Sequence, residues 1–177
     1  AMREICPGIL PLSCTTRTKT GAFPFKGYPV ISDDYREQNR KLHESNPGYG
    51  TSSSKWVNFI DDLAAQTKAK TILDYGCGKA LLSKGISRPV VNYDPCIEEH
   101  STTPRAADLV VCTDVLEHIE PEHLEAVLDE LRSLSNKATF VTVATRPAMK
   151  TLEDGRNAHL IVESHRWWLP KLLERWE

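Results

Sequence analysis

Residues Thr71 to Ser83 read Thr-Ile-Leu-Asp-Tyr-Gly-Cys-Gly-Lys-Ala-Leu-Leu-Ser. An apolar run, Thr71 to Leu73, leads into Asp74; the turn Gly76-Cys77-Gly78 follows, and a helix-forming stretch begins beyond it. Glycines in such a turn let the backbone bend tightly and approach a bound group where any Cβ would intrude. This is how a parallel α/β sheet opens a nucleotide crevice. Two familiar glycine loops do not fit. A dinucleotide fingerprint needs a third glycine where this chain has Leu81, and a phosphate-binding loop fails at Leu73 and at Ala80 after Gly78-Lys79. A purely structural turn stays open as the plainer reading.

The rest of the chain alternates as a parallel sheet requires. Asp33-Asp34 open a polar helix, Tyr35 to Glu44, with acids in its first turn, and Asn46-Pro47-Gly48 stops it. Ser52 to Ser54 offer N-caps for a second helix, whose Trp56, Phe59, Ile60, Leu63 and Ala64 fall on one face and pack on the sheet. Strands are expected at 71–74, 88–94, 109–112 and 138–143. Short helical turns are expected near 80–86, and a helix from Pro121 buries Leu124, Val127, Leu128, Leu131 and Leu134. Trp167 to Trp176 form a terminal helix, bent or delayed by Pro170. The fold class is therefore α/β, a Rossmann-like and mostly parallel sheet with helices on both faces and right-handed crossovers. Residues 1–32 read as an irregular N-terminal arm, since Pro7, Pro11, Pro24 and Pro29 fall there, and 33–177 as the domain.

Composition narrows the partners. With 40% hydrophobic residues and a formal net charge of −2, nothing draws the whole chain toward nucleic acid or an anionic membrane. A local basic patch remains open, because Lys and Arg at 17, 19, 26, 36, 40 and 41 make the arm region the most basic stretch. No apolar run spans a bilayer, and the first residues lack the core of a signal peptide. The five cysteines (6, 14, 77, 96 and 112) form no C-x-x-C pair, so they read as reduced thiols of a cytoplasmic protein rather than a disulfide frame or a zinc site.

The spacing D-x-G-x-G at Asp74, Gly76 and Gly78 resembles motif I of the class I S-adenosylmethionine-dependent methyltransferases. Ala80 stands where that pattern carries a third glycine, which should tighten the pocket. Asp94 ends the second strand, 16 residues beyond Gly78, where a nucleotide fold uses an acid to accept ribose hydroxyls. The segment Asp108-Leu-Val-Val-Cys-Thr-Asp-Val-Leu-Glu-His-Ile119 resembles the fourth strand of small-molecule methyltransferases. Asp-Gly-Arg-Asn-Ala-His-Leu-Ile (154–161), with Asn46-Pro-Gly-Tyr-Gly50 upstream, is similar to small bacterial and phage methyltransferases over about residues 33–176.

The resemblance implies S-adenosylmethionine as donor and S-adenosylhomocysteine as product, with no metal. It implies cofactor contacts at Asp74, Gly76, Gly78, Asp94, Thr113 and Asp114. Tyr35, Tyr49, Lys150 and Arg156 become substrate-side candidates, with His118 and His159 as candidate catalytic groups. For His118 two readings stand, general base or a side chain that packs and hydrogen-bonds beneath the site, and the second is favoured. Lys150, Arg156 and His159 lie in a polar loop, 144–160, that suits a substrate lid or simply a solvated surface. Glu117 and His118 are set aside as a metal pair because neighbours on a helix face different ways.

Only 13 residues separate Asp94 from Asp108, too few for a helix and another strand. The family's third strand is expected to be missing or vestigial, leaving order 2-1-4-5 in the family's count, with adenine against loop 95–107. The closing hairpin is expected to be missing too. Either the chain is truncated there, or the open sheet edge is covered by the arm or by a partner, a homodimer among them. The expected acceptor is a small polar or sugar-like molecule. A nucleic-acid methyltransferase is the rival enzyme, although Thr113-Asp-Val-Leu116 stands where exocyclic-amine enzymes carry D-P-P-Y or N-P-P-Y, and Pro95-Cys96 follows the wrong strand for a cytosine nucleophile. A cofactor-binding module without turnover is the non-enzyme alternative.

Overall fold

The computed structural model describes residues 12–13 and 30–176. Most of the expected arm, with Cys6, Cys14, Arg17, Lys19 and Lys26, lies outside the described residues. The sheet has five strands: β1 (Leu12–Ser13), β2 (Ile72–Tyr75), β3 (Val90–Tyr93), β4 (Ala107–Thr113) and β5 (Ser135–Thr142). Their spatial order is β1-β5-β4-β2-β3, and β2 to β5 are mutually parallel. In the family's count the parallel part is the expected 2-1-4-5. Between β3 and β4 the chain makes only a 3-10 turn, Glu98–His100. β1 pairs antiparallel with β5, Leu12 opposite Thr139, so two arm residues cover part of that edge.

Among the described residues five α-helices flank the sheet: α1 (Asp33–Ser45), α2 (Val57–Gln66), α3 (Leu81–Gly85), α4 (Leu124–Leu134) and α5 (His165–Trp176). Side chains of a strand alternate between faces, and β4 shows the consequence. Leu109 and Val111 pack with Ile60, Leu63 and Ala64 of α2 and Leu82 of α3. Val110 and Cys112 pack with Val127, Leu128 and Leu131 of α4 and with Trp168 and Trp176 of α5. Burial on both faces explains why this strand reads as a continuous apolar run.

Several local expectations change. Ser52 to Ser54 do not cap α2; Ser52–Trp56 form a 3-10 turn, and α2 starts after Trp56 without a side-chain cap. Ser53 is instead buried. Phe59 sits at the edge of its face, about a third exposed (36%), against Phe140 at 5.1 Å. Helix α5 begins at His165, ahead of the expected start, and carries Pro170 inside it. Trp168 and Trp176 are buried on either side of the proline, and packing of that face outweighs the one missing donor.

Candidate functional site

The carboxyl ends of β2, β3 and β4 converge on one cavity of about 540 Å³. It opens where the chain order reverses around β2, with β3 on one side and β4 on the other, which is where open α/β sheets bind ligands. The glycine loop is its floor. Gly76 and Cys77 donate their N–H groups to the Tyr93 carbonyl at 2.7 and 3.0 Å, tying the loop to β3. Gly78, at φ +51°, lies so close to Gly50 that an added Cβ would come within 2.5 Å of the Gly50 carbonyl oxygen. The adjoining Lys79 N–H donates to that same oxygen at 2.8 Å, and Lys79 Nζ donates to the His43 carbonyl at 2.6 Å. The segment after α1 is thus pinned onto the floor.

Asp94 directly follows β3 and is buried. Its Oδ2 accepts the Gly78 N–H at 3.1 Å and its Oδ1 the Cys96 N–H at 2.9 Å. Two carboxylate oxygens hold about four lone-pair sites, so acceptor capacity remains beyond these two bonds. Thr113 and Asp114 stand on the opposite wall. Asp114 pairs with Lys55 at 3.2 Å and accepts the Thr142 hydroxyl at 3.1 Å.

The upper wall comes from α1, the turn after it, the 3-10 turn Leu116–His118 after β4, and loop 144–160. Tyr35, Tyr49, Lys150, His118 and His159 are all on it. Tyr49 donates its hydroxyl to Asn39 Oδ1 at 2.9 Å, and His43, Tyr49, His118 and His159 form a continuous edge-to-face row. His118 reaches the Ala158 carbonyl through Nδ1 at 2.7 Å, and burial lowers its pKa to about 4, so the ring is neutral near pH 7. Loop 144–160 is no free lid. Asn157 exchanges two hydrogen bonds with the Ala148 backbone, both 2.9 Å, Gly155 turns it at φ +85°, and Gln38 donates to Asp154 at 3.0 Å.

Two candidates lie off the cavity wall. Asp74 sits under the floor, fully buried, with both carboxylate oxygens unpartnered, and burial, with Asp94 nearby, raises its carboxyl to about 7. Arg156 turns away to Asp154 at 2.6 Å and rests 5.9 Å from the Tyr35 ring, bracing the wall from behind. Ala80 is also absent from the wall. It is buried at φ +53°, so its cost falls on the backbone rather than on pocket room.

Sequence reasoning missed other wall residues. Ser53 Oγ and His43 Nδ1 are buried there without partners, as is the hydroxyl of the expected Tyr35. Cys96 lines the wall too, its thiol pushed up by burial first and by Asp94 next, which keeps it protonated and not nucleophilic. Tyr35, Tyr49 and the run Asn46-Pro-Gly-Tyr-Gly50 signalled that this segment belongs to the site; for His43 the sequence carries no signal. Glu117 is the remaining surprise. Its Oε1 accepts the Ala144 N–H at 2.7 Å, its Oε2 has no partner, and ligand atoms of Glu117, His118 and His159 lie within 4.8 Å of one another.

Among the described residues no helix is long and apolar enough to cross a membrane. No curated protein matches the chain. A family model described as "Methyltransferase domain" matches residues 50–175, which takes in the glycine loop, Asp94, both histidines and all four parallel strands. Because that match covers most of the 177 residues, the chain belongs to this methyltransferase family.

Proposed function

We propose that the protein transfers the methyl group of S-adenosylmethionine to a small polar or sugar-like acceptor. The observation that carries this reading is the cavity at the sheet's reversal point, floored by a glycine loop whose Gly78 is bonded to the Asp94 carboxylate. Gly76 and Gly78 run beneath the methionine moiety, and Asp94 takes the ribose hydroxyls on its remaining lone pairs. Loop 95–107 bounds the adenine, and Thr113 and Asp114 face it across the crevice. A guest rich in hydroxyl and amine groups suits this wall, because Tyr35 Oη, His43 Nδ1 and Ser53 Oγ are buried there unpaired. An apolar guest would leave them so.

When bound, the donor supplies a methyl group already activated on a positively charged sulfur. What remains for the chain is alignment and exclusion of water. The wall of Tyr35, Tyr49 and Asn39 closes the crevice over the floor, and Lys150 and His159 meet the acceptor at the rim. His118, with a pKa near 4, is a weak proton acceptor near neutral pH and serves better by holding the wall in place. Asp74 acts through the floor: a cation above it stabilises its ionised form, which buried alone it resists. Cys77, Cys96 and Cys112 are buried free thiols, which suits a reducing cytoplasm.

Calorimetric titration with S-adenosylhomocysteine tests the cofactor, and incubation of cell extract with methyl-labelled donor tests the acceptor. Saturable binding with label in the small-molecule fraction is expected. Absence of binding removes the reading. Label in DNA or RNA, with strongly salt-dependent binding, would transfer it to the nucleic-acid rival. Binding without turnover on a metabolite panel would leave the cofactor-binding module.

A further inference from the structure

We propose that Glu117, His118 and His159 hold a divalent first-row transition-metal ion at the acceptor end of the cavity. The three side chains are brought together by one loop. Glu117 Oε1 is anchored on the Ala144 N–H (2.7 Å), His118 Nδ1 on the Ala158 carbonyl (2.7 Å) and His159 Nδ1 on the Arg146 carbonyl (2.6 Å). Each anchor lies in segment 144–160. A carbonyl oxygen only accepts, so both histidines carry their proton on Nδ1 and keep the Nε2 lone pair for another partner. That is the tautomer of a metal-ligating histidine whose second nitrogen is fixed by a backbone carbonyl. Glu117 points to the same conclusion independently. It is fully buried, and its Oε2 has no partner, a costly state for a carboxylate that a proton or a nearby cation relieves.

The donor set fixes the ion's class. Two imidazoles and one carboxylate suit Zn²⁺, Fe²⁺, Co²⁺ or Mn²⁺ rather than Mg²⁺ or Ca²⁺, which prefer oxygen alone. Three protein ligands leave coordination positions free, the pattern of reactive rather than structural sites. His118 and His159 line the cavity while Glu117 stands behind them, so the free positions face the cavity. The ligand atoms lie within 4.8 Å of one another.

The site's part in the chemistry rests on the methyl-transfer reading above and narrows the acceptor to a hydroxyl-bearing molecule. An acceptor hydroxyl drawn to a dication becomes more acidic and gives its proton to solvent. Its oxygen then bonds to the methyl carbon as the carbon–sulfur bond breaks, the electron pair stays on sulfur, and the products are a methyl ether and S-adenosylhomocysteine.

Titrating the whole chain with Co²⁺, followed by its visible absorption, tests the site, with Zn²⁺ and Mn²⁺ as competitors. One ion per chain is expected, with affinity falling at least about 100-fold in E117Q and in H159A, since losing a ligand costs more than losing its outer partner. S-adenosylhomocysteine affinity and the circular dichroism spectrum should hold in H159A, whose ring sits at the rim and keeps the test sound if E117Q does not fold. No saturable binding of any of the three ions by the unaltered chain overturns the proposal, as does binding that survives in H159A. The two readings separate: ion binding without S-adenosylhomocysteine binding leaves the metal site and removes the methyl-transfer role, and the converse removes the site alone.

Discussion

The contact between Gly78 and Gly50 holds the N-terminal segment on the glycine loop, and it can be tested by adding one carbon. In Gly78→Ala the new Cβ meets the Gly50 oxygen at 2.5 Å and the Gly50 Cα at 2.6 Å, both backbone atoms that cannot swing aside. Overpacking of this kind costs about 1–3 kcal/mol. The residue also sits at φ +51°, where a side chain adds about 1–2 kcal/mol. The sum is roughly 2–5 kcal/mol, a fall in Tm of about 4–20 °C for a chain of this size. Gly155→Ala is the matched control. It shares the left-handed backbone, φ +85°, but its Cβ would find nothing within 4 Å. It should lose only the backbone part, about 1–2 kcal/mol. Urea unfolding reads the difference as separate midpoints at a common slope. Equal losses in the two variants would show that the two turns are not pressed together, and the cavity floor described above would have to be redrawn.

Asp94→Ala should weaken S-adenosylhomocysteine binding by about 1–3 kcal/mol and lower stability as well, because the Gly78 and Cys96 N–H groups both lose their acceptor; calorimetry showing unaltered affinity would sink the ribose assignment. Asp74→Asn should change how stability depends on pH. Burial raises the folded carboxyl to about 7 from roughly 4 in the unfolded chain. The folded state therefore binds the extra proton, and this contribution is complete below pH ~4 and lost as pH rises through ~7. Relative to the unaltered chain, Asp74→Asn should gain up to roughly 3–4 kcal/mol between pH ~4 and ~8, and parallel pH profiles would refute the burial argument. Ala80→Gly should stabilise the chain by about 0.5–1 kcal/mol, since Ala80 holds a left-handed φ of +53°, and a destabilised variant would mean that the methyl group's packing outweighs the backbone strain.

What the sequence made legible follows the range over which each cause acts. The glycine turn, the acid ending β3 and the apolar run of β4 are short words whose chemistry is local, and all three stand where their pattern put them. The shortened passage between Asp94 and Asp108 was readable because chain length alone forbids another crossover. Capping was less legible. Ser52 to Ser54 have the right residue types for an α-helix cap, yet they lie in a 3-10 turn just after a left-handed Gly50 that presses on Gly78, and Ser53 lines the cavity. Asp74 and Arg156 were placed by motif and by loop, and only packing shows one beneath the floor and the other behind the wall.

Glu117 and His118 show why pairwise rules fail at such places. Neighbours on an α-helix diverge by about 100°, from 3.6 residues per turn, and that rule sets them apart. Here the turn is three residues long, Leu116–His118, and what aims each side chain is a partner in segment 144–160. Ala144 takes the carboxylate, Ala158 takes the ring, and the same segment delivers His159 from 41 positions further along the chain. Spacing within one element cannot report a meeting that a second element arranges. The upper wall of the cavity is built on such meetings, between α1, the turn after β4 and loop 144–160, whereas its glycine floor is built on single turns of chain. That division explains why the glycine floor could be read from thirteen residues and the upper wall could not. It also puts the test of the proposed acceptor chemistry at Glu117, His118 and His159, where side chains from separate segments converge with an unpaired buried carboxylate oxygen.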